Sequence, residues 1–140
     1  MLNIIFDNET DYDIDLSLVQ NIKNHLTTGE VELILTNNTS IQNINLETRG
    51  FDKPTDVLSF PYINMPHAPI GSIIISLDFL KEYANEYKNT IEDEFALLFI
   101  HGILHILGYD HEVDNGEHRA KEEELINHFN LPKSLIIRNS

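Results

Sequence analysis

The chain has no cysteine, few basic residues and no long apolar run. Without thiols, a disulfide framework and thiolate metal ligands are both excluded, so any transition-metal site must be built from His, Asp and Glu. The longest apolar stretch, Phe95 to Ile100, is far short of the roughly 20 residues that cross a bilayer. The N-terminus, Met1-Leu-Asn-Ile-Ile-Phe-Asp7, has no basic region and does not read as a signal peptide. A soluble, cytoplasmic protein is the expectation. Only nine basic residues face 23 acidic ones, giving a formal net charge of −14. Such a field repels polyanions and taken alone argues against nonspecific nucleic-acid binding.

What is present fits one domain spanning residues 1–140. A chain of that length buries roughly two thirds of its unfolded surface, enough for a core without staples. Strands are expected at 2–6, 31–35, 57–60 and 70–75, the third closed by Pro61. Helices are expected at 15–27, after a Ser40 cap as far as Gly50, from a Ser76 cap to Tyr87, at 91–107, and at 115–128. Thr90 with Asp93, and Asp114 with Glu117, have capping-box spacing. The stretch 62–69, with Pro66 and Pro69, reads as a loop. Four short strands and about five helices predict an α/β (α+β) layered fold with a small sheet.

The chemistry concentrates in His101-Gly-Ile-Leu-His105-Ile-Leu-Gly-Tyr-Asp-His111. Imidazoles four residues apart on a helix project from one face and can reach a single ion. Gly108 can adopt positive φ and turn the chain so that His111 joins them. The neighbours Phe99, Ile100, Ile103, Leu104, Ile106 and Leu107 are apolar, so the helix is buried nearly all round and its imidazoles need partners. One Zn2+ on three histidines leaves a position open for water, whose pKa falls toward about 7 on zinc. Hydrolysis is the natural chemistry. The spacing is also that of metzincin proteases, but those carry Glu directly after the first His, where this chain has Gly102.

This segment resembles the signature of the YbeY family of bacterial endoribonucleases. So does Asn45-Leu-Glu-Thr-Arg49-Gly-Phe-Asp-Lys53-Pro-Thr-Asp-Val-Leu-Ser-Phe-Pro61, with Gly71-Ser-Ile-Ile-Ile-Ser76 as a third match. The resemblance implies a small mixed sheet packed with helices. It implies a single-strand-specific, zinc-dependent RNase that matures the 3′ end of the small-subunit ribosomal RNA and serves ribosome quality control. His101, His105 and His111 are then the zinc ligands and Arg49 the catalytic arginine. Partners would be the ribosome or small-subunit proteins and an assembly GTPase. Thr48 and Ser72 depart from the family's usual Tyr and Asp, and the last helix, with Arg119-Ala-Lys121, lacks its usual Met.

Physically, the five-donor fork of Arg49 suits a phosphate, although a solvated arginine at a helix end is the plain alternative. Lys53 either adds a phosphate contact or is a surface lysine. Asp56 either orients a ligand imidazole or caps a turn. His67 lies in the Pro-rich loop, and His25, His118 and His128 read as surface residues. The leading function is an endoribonuclease. Its alternatives are a metal-dependent hydrolase of another substrate, including a peptidase, and a non-catalytic assembly factor with structural zinc. Arg49 and Lys53 are expected to be the positive charges nearest the proposed site in an otherwise negative chain, so weak intrinsic RNA affinity, with substrate delivered by a partner, is expected.

Overall fold

The computed structural model describes residues 4–62, 68–109 and 116–132. In chain order these form β1 (Ile4–Asn8), α1 (Ser17–Leu26), β2 (Val31–Thr36), α2 (Asn38–Arg49), β3 (Val57–Pro61), β4 (Gly71–Ser76), α3 (Leu77–Tyr87), α4 (Ile91–Ile106) and α5 (Glu117–His128). The sheet order is β1-β2-β4-β3, with β1, β2 and β4 parallel and β3 antiparallel to β4. The expected mixed sheet with helices is therefore what forms.

Strand alternation divides the apolar side chains between two sides. Val31, Leu33 and Leu35 of β2 and Ile73 and Ile75 of β4 join the main core with Val19 and Ile22 of α1, Leu80 of α3, much of α4, and Leu125 and Ile126 of α5. On the other side Ile34, Ile74 and Leu58 pack with Ile41 and Ile44 of α2 in a smaller cluster. The centre of the main core is α4, buried from Glu94 through Ile100 and again from Gly102 to Leu104.

Helix boundaries follow local hydrogen bonding. The Thr90 hydroxyl accepts from the Asp93 amide at 3.0 Å, as its spacing predicted. Glu92, Asp93 and Glu94 place negative charge in the same first turn, where the helix dipole favours it. At the other end the Tyr109 amide donates to the Leu104 carbonyl and the Gly108 amide to that of His105. With Gly108 at φ 101°, this is the Schellman closure that reverses the chain.

Two starts and one cap differ from expectation. Asn37, rather than Ser40, caps α2 by accepting from the Ser40 amide at 2.9 Å, so that helix begins earlier. The Ser76 hydroxyl donates to Asn38 Oδ1 at 2.7 Å and does not cap α3. Helix α5 begins at Glu117, after Gly116 in a left-handed conformation; the capping role given to Asp114 lies outside the described residues.

One buried charge is a liability. Lys23 on α1 is fully buried, and its Nζ has no hydrogen-bond partner. Burial lowers its pKa from the ordinary 10.5, partly opposed by the Glu30 carboxylate. The unfolded chain then binds the proton more tightly, so stability should rise with pH from the lowered value up to about 10.5. Replacing Lys23 with Met should raise stability by about 1–3 kcal/mol at neutral pH. It should also abolish that alkaline gain, which urea unfolding at several pH values would measure.

Candidate active site

Helix α4 presents different faces at adjacent positions. A Cβ on Gly102 would lie 3.1 Å from Ile73 Cγ2, so this residue packs directly on β4. On the same face a turn later, Ile106 Cδ1 lies 2.9 Å from where a Cβ on Gly71 would stand. This contact fixes the rotation of the helix, and the stripe of His101 and His105 is left toward solvent. His101 is part-buried, with its side chain 30% exposed, and His105 is exposed. Where a zinc peptidase carries its glutamate, this chain has a glycine against an isoleucine. The peptidase alternative thus has neither the residue nor the space for it.

Behind His101 lies a buried polar cluster. His101 Nδ1 is 3.2 Å from Glu122 Oε1, and His118 Nε2 is 2.7 Å from the same oxygen. His118 Nδ1 donates to the Tyr109 carbonyl at 2.9 Å. His118 was expected at the surface; it is fully buried, as is Glu122 at 3% exposure. The reason is the stripe His118, Glu122, Leu125 and Ile126, which faces α4 at helical spacing. That His–Glu spacing was the available signal, hidden because both residue types usually face water. The His118–Glu122 contact is an ion pair rather than a well-directed hydrogen bond. Nδ1 of His118 thus faces the Tyr109 carbonyl and Nε2 faces the buried Glu122 carboxylate.

The donor set fits a metal. A carboxylate can only accept, so the His101 proton belongs on Nδ1 and Nε2 keeps its lone pair. His105 is the neighbouring imidazole on the same stripe, while His111 lies outside the described residues, as does His67. His101, His118 and Glu122 also offer ligand atoms within 4.8 Å of one another.

The second sequence block forms a braced surface loop. Asn45, buried on α2, donates from Nδ2 to the Lys53 carbonyl at 2.9 Å, and Gln42 Nε2 donates to Asp52 Oδ1 at 2.9 Å. Gly50, at φ 77°, ends α2 and turns the chain into this loop. Phe51 is 49% exposed, with the Arg49 guanidinium 5.4 Å and Lys53 Nζ 5.8 Å from its ring centre. The bracing by Asn45 and the exposed Phe51 were not foreseen. Asp56 accepts from the Val57 amide at 2.8 Å and from the Tyr83 hydroxyl at 3.0 Å. These partners suit the turn-capping role; His67 and His111 lie outside the described residues. Thr48 donates to the Ile44 carbonyl of its own helix, and Ser72 is buried in β4. His25 and His128 are exposed and stack with ring centres 4.4 Å apart, the surface placement expected of them.

Fold and site together define a small mixed-sheet α/β domain with an imidazole stripe at the end of its central helix. The sequence profile described as Endoribonuclease YbeY matches residues 7–130. Curated relatives described as Endoribonuclease YbeY include one from Aliarcobacter butzleri, 57% identical over 98% of this chain and 99% of the relative. Another, from Nautilia profundicola, is 55% identical over 97% and 98%. A solution structure of a Thermotoga maritima protein superposes with a TM-score of 0.59 at 28% identity, over 97% of this chain and 93% of that one. The chain belongs to the YbeY endoribonuclease family. No described helix is long and apolar enough to cross a membrane.

Introducing glutamate at the peptidase position gives a direct check. Gly102→Glu should cost about 3 kcal/mol or more by forcing a carboxylate against Ile73. It should yield no peptidase activity; thermal unfolding and a casein assay read the two outcomes.

Proposed function

We propose that this chain is a single-strand-specific, zinc-dependent endoribonuclease acting in the cytoplasm on ribosomal RNA. Its roles are maturation of the 3′ end of the small-subunit RNA and ribosome quality control. The observation that carries the reading is the α4 stripe, where His101 and His105 face outward and Glu122 engages Nδ1 of His101. His101, His105 and His111 would hold the ion. Zinc would supply Lewis-acid activation of phosphate or water there.

The chain's own residues bind and orient the RNA. Arg49 offers a planar donor fork to a phosphate and to the charge that builds on it during cleavage. Phe51, flanked by Arg49 and Lys53, supplies the two elements of single-strand recognition, an aromatic face for a base and cations for the backbone. A duplex keeps its bases stacked internally, which favours single strands here. With a net charge of −14, bare RNA should bind weakly and with little sequence preference. Delivery by the ribosome, by small-subunit proteins or by an assembly GTPase fits that balance.

Bound zinc and cleavage of ribosomal RNA, measured for wild type, His105→Ala and Arg49→Ala, test the proposal. His105→Ala should lose both. Arg49→Ala should keep zinc and cleave about 100-fold more slowly. Cleavage that survives zinc removal would refute metal dependence, and intact ribosome assembly without any cleavage would favour an assembly factor. Phe51→Ala should raise KM about tenfold at nearly constant kcat, consistent with loss of one base stack, while Phe51→Trp should restore it.

A further inference from the structure

We infer that Glu122, held in place by His118, is the positioning group that sets the ring orientation and tautomer of His101. The inference rests on the reading of His101 as a metal ligand. A histidine that binds a metal through one nitrogen is commonly fixed by a carboxylate on the other, which also raises its basicity. Here Glu122 Oε1 stands 3.2 Å from His101 Nδ1 and is itself buried. An unsupported carboxylate in that interior would be costly. His118 removes the cost, with Nε2 at 2.7 Å from the same oxygen and Nδ1 donating to the Tyr109 carbonyl. The Tyr109 amide in turn closes α4 on the Leu104 carbonyl. Helix α5 thus holds the His101 ring and the turn that ends α4 through one pair of side chains.

The three residues also lie close enough to surround a metal directly, but their metal-free spacing fits the positioning arrangement better. Two donors on one tetrahedral zinc at roughly 2.0–2.1 Å stand about 3.3 Å apart. The 2.7 Å approach of His118 to Glu122 is shorter, an ion-pair spacing. His118 Nδ1 is occupied by the Tyr109 carbonyl, so Nε2 is the ring atom left to meet the carboxylate.

Zinc affinity by chelator competition, and the His101 tautomer by long-range 1H–15N NMR of the apo protein, test this inference without reference to cleavage. Glu122→Gln should weaken zinc about 10- to 100-fold while keeping one ion per chain. It should also shift His101 from the Nδ1-protonated form toward a mixture. The double variant His118→Met/Glu122→Leu removes the buried pair together, so no charge is stranded if a single change fails to fold; it should weaken zinc to a similar degree. Unchanged affinity and tautomer in folded Glu122→Gln would overturn the inference and leave the ligand assignment standing. Zinc retained in His105→Ala but lost in the double variant would overturn the assignment itself.

Discussion

The contact on which this structure depends is the seating of α4 on β4 through two glycines. Any side chain at Gly102 would crowd Ile73, and any at Gly71 would meet the Phe60 carbonyl and Ile106. Two missing Cβ atoms therefore let a helix lie close to a sheet and, in doing so, lock its rotation. Close-packed interiors do not tolerate a small rotation, so the faces of α4 are assigned by this contact. Gly102 and Ile106 take the sheet, and His101 and His105 take the adjacent stripe. Chemistry on the outside of the helix is set by packing on the inside.

That division explains what the residues disclosed beforehand. Strands β2 and β4 were legible because β-branched and apolar residues cluster at 31–35 and 70–75 between turn formers. The start of α4 was legible because Thr90 carries the cap in its own side chain, three residues before Asp93, and its end because Gly108 can turn left-handed. Helix α2 was misjudged at its start because 37–40, Asn-Asn-Thr-Ser, contains only residues able to cap. The winner depends on where the chain leaves β2, which no local pattern encodes.

His118 escaped notice for a different reason. Its burial depends on a tertiary partner, Glu122, and on a backbone carbonyl at Tyr109 freed by the turn after α4. Residue type alone argues for the surface, since His and Glu lose much on desolvation unless paired. Only the helix-to-helix arrangement shows the pairing. The Arg49 loop was recognised by its motif, yet its rigidity comes from Asn45 and Gln42 reaching forward from α2. Side chains that brace backbone are hard to distinguish in a sequence from side chains that merely dissolve.

The remaining tension is between a strongly acidic chain and a polyanionic substrate, and range resolves it. At physiological ionic strength charges farther apart than about 8 Å are largely screened, so a backbone phosphate at the Arg49 loop responds mainly to its neighbours. The loop offers two cations beside an exposed ring, with Asp52 drawn back onto Gln42. Farther off, the acidic surface gives a passing RNA little to hold. Under the delivery proposed above, a nuclease built this way would gain little from random encounters and much from being brought to its substrate. For an enzyme of ribosomal RNA that is an advantage, because the cell is full of single strands that must not be cut. On the function proposed above, the acidity that first argued against RNA would act as a filter on which RNA stays long enough to react.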